Sequence, residues 1–287
     1  MPMRTRSTLP ARAGLGLKPQ HYADALDAPA DGLWFEVHPE NYMIDGGPRL
    51  AWLDAIAERF ALSLHGVGLS LGGPERPDRE HLARLKALVD RYDPASVSEH
   101  VAWSRLGKTY FADLLPPPPT RATLHALADH ISETQDVLGR QILVENPALY
   151  VSPAGDLSMI ELTVQAAALA GADLLFDLNN IHVCAHNLGG SAQDWMEAVP
   201  ADQVGEVHLA GFTVQQREGG DVVLIDSHGA PVSEDVWALY DAYITAAGPK
   251  PTLIERDENI PAFADLMAEA ARANAVLDAA VREAVHG

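Results

Sequence analysis

The chain has 287 residues, 47% of them hydrophobic, with one cysteine, 12 histidines and 40 acidic against 20 basic side chains, a formal net charge of −20. That apolar share can bury one large core, the lone Cys184 excludes an internal disulfide and any cysteine-rich zinc or iron–sulfur site, and the negative field disfavours nucleic acid as a partner. No apolar run reaches membrane-spanning length and the basic N-terminus lacks the apolar segment of a secretory signal, so the expectation is a cytoplasmic protein with no membrane association.

Residues 1–12 read as a flexible tail on a single domain spanning 1–287. β-Rich runs then alternate with segments of helical spacing. GLGL (14–17) precedes a helix over 20–28, LWFEV (33–37) one over 50–60, LSLHG (62–66) one over 79–92, and SVSEH (96–100) one over 120–138. ILVEN (142–146) precedes 158–172, LLFDL (174–178) a short helix near 191–199, EVHLA (206–210) a helix over 233–248, and TLIER (252–256) a long one over 260–284. Strict alternation calls for a parallel sheet, and eight units predict an α/β protein closed as a (β/α)8 TIM barrel. An open doubly wound sheet is the alternative, disfavoured because the first strand–helix turn carries no GxGxxG fingerprint. DLLPPPPT (113–120) reads as a rigid loop and QQREGGD (215–221) as a flexible loop tip.

Barrel enzymes place their chemistry at the C-terminal ends of the strands. Those ends carry, in order from the third strand, His65, His100 beside Glu99, Glu145, Asp177, His208 and Glu255. One polar residue at a strand end is ordinarily a cap or an ion-pair partner. Six in succession, each inside an apolar run, would need six separately satisfied partners, whereas shared cations satisfy all of them together. The seventh loop adds Asp226 and His228 in LIDSHG, a stretch that alone would be an ordinary turn. Eight or nine nitrogen and oxygen ligands exceed what one ion takes, so two or three metals sharing a bridging carboxylate are expected.

ENPALY, FDLNNIHVCAHN, VHLAG, IDSHG and IERD, with FEVHPENYM (35–43) near the start, resemble the DUF692 or UPF0276 proteins, the multinuclear non-heme iron-dependent oxidative enzymes that include methanobactin-biosynthesis oxidases. The resemblance runs nearly end to end. It implies the barrel of the xylose isomerase and endonuclease IV superfamily, two or three iron ions of mixed valence, and dioxygen as co-substrate. It also implies cysteine residues of a ribosomally made precursor peptide as the target, converted to an oxazolone, thioamide or related heterocycle, with a small partner protein delivering the peptide. Carried over position by position, His65, His100 and Glu145 would hold one iron, and Glu145, Asp177, His208 and Glu255 its neighbour, with Glu145 the bridge. Glu145, Asp177 and His208 are the expected catalytic residues. A third ion would take Asp226, His228 and a residue of the sixth loop. Endonuclease-like relatives have a histidine three positions after the strand-six aspartate; here that position is Asn180, and the nearest histidine is His182, so either completes the site.

Other polar residues have two readings each. Glu36 and His38 either support the site or pack against Asn41. His186 and Asn187 either guard the mouth or are solvated loop residues. Cys184 either meets a substrate thiol or is a small apolar filler. Trp103 and Tyr110 either line a peptide groove or pack. Two other functions compete with the iron oxidase: a divalent-metal hydrolase or sugar isomerase of the same superfamily, and a non-enzymatic metal- or peptide-binding protein.

Overall fold

The structure, a computed structural model, describes residues 8–217 and 219–286. In chain order its elements are β1 (Ala13–Gly16), α1 (Tyr22–Asp27), β2 (Trp34–Val37), α2 (Pro48–Ala57), β3 (Ala61–Gly66), α3 (Arg79–Tyr92), β4 (Ser96–His100), β5 (Trp103–Leu106), β6 (Thr109–Leu115) and α4 (Arg121–Leu138). There follow β7 (Leu143–Glu145), α5 (Met159–Ala170), β8 (Asp173–Asp177), α6 (Leu178–Leu188), α7 (Ala192–Glu197), β9 (Val204–Leu209), β10 (Thr213–Gln216), β11 (Val222–Ile225), α8 (Glu234–Ala247), β12 (Thr252–Ile254) and α9 (Phe263–His286). Eight strands close a barrel in the order β1-β12-β9-β8-β7-β4-β3-β2. Every neighbouring pair is parallel. Each strand pairs with the next barrel strand in the chain, so the architecture is the expected (β/α)8 barrel.

Local chemistry places the helices. Asp78 accepts from the backbone N–H groups of Glu80 and His81 to start α3, and Ser158 with Glu161 forms a reciprocal capping box at the start of α5. Gly139 and Gly171 end α4 and α5 in the left-handed region that glycine enters without strain. Leu82, Leu85, Leu88 and Val89 bury one stripe of α3. Gly14 leaves room for a neighbour, because a Cβ there would lie 2.3 Å from the ring of the fully buried Trp34.

Three expectations need correction. Residues 1–7 of the expected tail lie outside the described residues, but 8–12 are anchored at three points: Thr8 N–H donates to Ala95 O at 3.0 Å, Leu9 is buried with Trp34 and Leu253, and Arg12 pairs with Asp278 at 2.5 Å. The sixth crossover holds two helices, because α6 begins at Leu178 directly after β8; the short helix expected near 191–199 is α7. The connections after β4 and β9 are not plain loops but antiparallel hairpins, β5–β6 and β10–β11, on the C-terminal rim. The first three residues of DLLPPPPT belong to β6, and Gln215 and Gln216 belong to β10, while position 218 in QQREGGD lies outside the described residues. No helix among the described residues is long and apolar enough to cross a membrane.

Candidate metal centre

Barrel register sets the site. His100 on β4 lies opposite Glu145 on β7, and Asp177 on β8 opposite His208 on β9, which puts these side chains at one height on the C-terminal rim. His65 Nε2 and His100 Nε2 lie 3.1 Å and 3.0 Å from the same oxygen, Glu145 Oε2. The His65 ring is 4.4 Å from that of His100 and 5.1 Å from that of His208, centre to centre. On the other side, Glu255 Oε2 sits 3.1 Å from His208 Nδ1 and 3.3 Å from His228 Nδ1, and His228 Nε2 is 2.7 Å from Asp226 Oδ1. His228 holds a left-handed backbone (φ 48°), uncommon outside glycine and found where a site over-determines it. Ligand atoms of His65, Glu145 and His208 all lie within 4.8 Å of one another, as do those of Asp177, His228 and Glu255.

Several polar atoms facing this space lack an aligned hydrogen-bond partner. Among the described residues no aligned hydrogen bond is found for Asp177 Oδ2, Asn180 Oδ1, His65 Nε2, Glu145 Oε2, His208 Nε2 or His228 Nε2, the last four having only ion-pair approaches to neighbouring imidazoles and carboxylates. Leaving so many buried polar atoms unsatisfied would cost several kcal/mol in total, on the order of 1–3 each. Their opposite edges are fixed: His65 Nδ1 is 2.7 Å from Ser98 Oγ, His100 Nδ1 is 3.0 Å from Gly66 O, and Asn180 N–H donates to Asp177 Oδ1 at 2.6 Å. Orphaned atoms pointing inward on side chains oriented from behind are what a polynuclear cation site requires. The mixed imidazole and carboxylate set suits iron, manganese or zinc.

Electrostatics agree. Burial pushes the Asp177 carboxyl up, and the Glu145 charge beside it pushes it further, well above its usual range. Burial alone would lower the His100 imidazole, but Glu145 outweighs it and holds it up at about 10. His208 is raised against burial by Glu36 and Glu255, and His228 by Asp226 and Glu255. Bound cations would take the place of these protons.

Helical geometry separates the two sixth-loop candidates. Since α6 starts at Leu178, Asn180 is on the turn that Asp177 caps and faces the centre, donating to Glu145 Oε1 at 3.2 Å and to Asn146 O at 3.0 Å. Two residues further on, about 200° around the helix, His182 turns away and stacks on Phe212 at 5.1 Å. Asn146 in turn locks Asp177 through paired backbone bonds of 2.9 and 3.0 Å.

Three carboxylates near the centre escaped the sequence reading of the ligands. Glu206 is fully buried in the barrel bore, accepting from Ser96 Oγ at 3.0 Å, with its Oε1 3.5 Å from His208 Nε2. Glu36 reaches the same nitrogen at 3.5 Å and accepts from Ser63 Oγ at 2.9 Å. Asp257 contacts His228 Nδ1 at 3.1 Å and His38 Nε2 at 3.6 Å, and Lys18 Nζ donates to it at 2.6 Å. Strand periodicity held the signal for Glu206, which stands two residues before His208 on β9 and shares its face.

The remaining residues resolve individually. His38 lies against the centre, its Nδ1 3.2 Å from His65 O. Asn187 is no solvated loop residue: it bonds Leu149 O and both backbone groups of Leu224, and His186 Nε2 lies 3.3 Å from Val222 O, so α6 anchors the second hairpin. Cys184 is buried, with Sγ 3.6 Å from Pro147 O. Trp103 packs edge-on to Phe111, whereas Tyr110 is exposed on a cavity wall. Above the centre a cavity of about 330 Å³ is lined by His38, His100, Asp226, His228, Glu255 and Asp257 among others.

Comparison with known proteins places this geometry. Residues 12–278 match the model of the family described as RiPP precursor modification enzyme MbnB/TglH/ChrH. A UPF0276 protein of Caulobacter sp. (strain K31) is 56% identical over 266 residues, 92% of this chain and 96% of that relative. A UPF0276 protein of Bordetella pertussis (strain Tohama I) is 48% identical over 270 residues, 94% of this chain and 93% of that relative. Among solved structures, a D-psicose 3-epimerase aligns with a TM-score of 0.58 at 12% identity, covering 93% of this chain and 99% of that one. Endonuclease IV from Thermus thermophilus aligns with a TM-score of 0.55 at 18% identity, covering 95% of this chain and 96% of that one. The last two likenesses concern the fold alone.

Proposed function

The chain belongs to the MbnB/TglH/ChrH family of RiPP precursor modification enzymes, and from that membership we propose that it is a multinuclear iron enzyme that uses dioxygen to oxidise cysteine residues of a ribosomally made precursor peptide, brought to it by a small partner protein. The product is an oxazolone, a thioamide or a related heterocycle. The observation that carries the reading is the set of inward-facing imidazole and carboxylate atoms, crowded together and without aligned hydrogen bonds, that the strand ends deliver to one rim. His65, His100 and Glu145 would hold one iron, Glu145, Asp177, His208 and Glu255 a second, and Asn180, Asp226 and His228 a third.

Iron bound there supplies the redox chemistry by which dioxygen oxidises the cysteine. The chain contributes position and shielding. Ser98, the Gly66 carbonyl and Asn146 fix the ligand rings and carboxylates from behind, so no reorganisation is needed when metal or substrate arrives. The hairpins β5–β6 and β10–β11 flank the mouth, where they can exclude water from an oxidised intermediate.

The test is anaerobic addition of a cysteine-bearing precursor peptide, encoded beside the gene, to the purified iron-loaded protein, followed by oxygen. A change in the visible absorption of the iron and a mass change on the peptide cysteine are expected. A colourless zinc protein that epimerises sugars or cleaves abasic DNA would replace this reading with the hydrolase or isomerase one. Stoichiometric peptide capture without turnover would replace it with the binder.

A further inference from the structure

A second cavity, about 520 Å³, lies under the β5–β6 hairpin, outside the metal centre. Three polar atoms on its walls have no hydrogen-bond partner among the described residues: Glu40 Oε2, His81 Nε2 and Ser104 Oγ. His81 and Ser104 are 6% and 5% exposed, so water does not readily satisfy them. Each is held by its own local framework. Glu40, in the short helical turn Pro39–Tyr42, uses its other oxygen to accept from Val67 N–H at 3.0 Å. His81 sits in the Asp78-capped first turn of α3, its Nε2 3.4 Å from Glu40 Oε1 without a hydrogen bond. Ser104 is fixed through its backbone N–H, which donates to Ser70 Oγ at 3.0 Å.

Glu40 and Ser104 offer a carboxylate and a hydroxyl able to accept, and the His81 imidazole faces the carboxylate from α3. Burial raises the Glu40 carboxyl, but His81 and the neighbouring backbone amides outweigh burial and hold it below the ordinary range, so it is charged. Asp113 adds a second carboxylate to the lining, against one guanidinium, Arg84, which is half exposed and 3.8 Å from Glu80. A convergent acceptor set around a carboxylate calls for a ligand with several N–H donors and a positive charge. Tyr110, Phe111 and Leu114 of β6 supply an apolar wall for an aliphatic stem, the split surface that a lysine or arginine side chain needs.

The cavity adjoins the mouth above the metal ligands, since Glu40, Val67 and Leu114 line both. We propose that this cavity is a specificity subsite that takes a lysine or arginine side chain of the peptide substrate close to the reacting cysteine. Its assignment to the substrate rests on the peptide reading above; its cation preference does not. The formal charge of −20 attracts a basic segment towards it.

The test uses two small probes of equal shape, N-acetyl-arginine methylamide and N-acetyl-citrulline methylamide, titrated into the metal-loaded full chain and followed by ligand-observed NMR. Wild type is expected to bind the arginine probe about tenfold more tightly, and Glu40→Gln to bring the two to near parity. Equal binding in wild type, or a preference that survives Glu40→Gln, overturns the subsite. If a thermal melt shows Glu40→Gln unfolded, Ser104→Ala decides instead: a severalfold loss for the arginine probe supports the subsite and unchanged binding overturns it. Neither probe contains cysteine and neither measurement needs oxygen. A protein that shows the preference but oxidises no cysteine peptide would refute the proposed reaction and leave a cation pocket.

Discussion

Asn180 donates its side-chain amide to Glu145 Oε1 at 3.2 Å, so the sixth-loop residue expected at the third site is tied to the carboxylate expected to bridge the other two ions. Its own Oδ1 is left buried and unpartnered, free to act as a weak neutral ligand. Asn180→Ala removes both functions. Iron per chain should fall, and the metal-free protein should lose about 1 kcal/mol with the hydrogen bonds. Elemental analysis beside a thermal melt measures both, and unchanged iron would reduce Asn180 to a structural brace for Glu145.

Glu145→Gln should be more severe. The carboxylate oxygen that two imidazoles approach at 3.0 and 3.1 Å becomes part of a neutral amide, and repulsion between neighbouring cations is no longer screened. Metal content should fall by at least one ion per chain and turnover should vanish, and the melt of the metal-free protein should also drop near neutral pH, because the buried His100 imidazole loses its charge partner. Full iron and full activity in the variant would remove Glu145 from the centre.

The barrel was legible because each strand is a short apolar run, from the third onward closed by a titratable residue, and its spacing from the next leaves room for a helix. β3 with its terminal His65 and β9 with His208 are of this kind. The hairpins were not, since their residues are mostly exposed: β6 and β10 bury hardly any side chains, so no apolar pattern marks them. α6 was missed for a different reason. Asn-Asn at its start reads as turn chemistry, and only the Asp177 cap turns that stretch into a first helical turn. In the sequence Glu36 reads only as site support or packing against Asn41, and Glu206 is not singled out; their meeting across the bore at His208 is a relation between strands far apart in sequence.

pH should act oppositely on free and loaded protein. In the metal-free protein Glu145 holds the His100 imidazole at about 10, so its contribution to stability is full below the ordinary imidazole value of 6.5 and is lost as pH rises through 10. Burial places Glu206 at about 7, so its contribution is full below 4.5 and is likewise lost as pH rises through 7. Metal ligation needs the neutral imidazole and therefore strengthens as pH rises. The gap between the melting temperatures of loaded and metal-free protein should widen from pH 6 to pH 9, and Glu206→Gln should raise the metal-free melt at pH 8 but not at pH 4. A gap that narrows over this range would contradict the electrostatic assignment.

Cys184 should behave as an inert filler. Burial, with the charges of Asp226 and Asp177 nearby, pushes its thiol up to about 12, so almost no thiolate exists at neutral pH. Native protein at pH 8 should resist a thiol-specific chromogenic disulfide until denaturant is added, and Cys184→Ala should keep its iron and its activity. Rapid labelling of the native protein would put Cys184 within reach of substrate after all.

Asp226 decides whether LIDSHG is a clamp. Its Oδ1 lies 2.7 Å from His228 Nε2 and accepts from Asn179 Nδ2 at 2.7 Å, while its backbone N–H donates to the Tyr150 hydroxyl at 3.1 Å. Asp226→Ala removes the side-chain contacts but keeps the backbone bond, and Asn187 still holds Leu224 on the hairpin. The loop should therefore survive at a cost of about 1–2 kcal/mol, a few degrees in the melt. The third site loses its charged ligand and has only His228 and the neutral Asn180 left, so about one iron per chain should go while the pair sharing Glu145 remains. Elemental analysis with a parallel melt separates the outcomes: unchanged iron returns the stretch to an ordinary turn, and a collapsed transition shows that Asp226 holds the rim together instead.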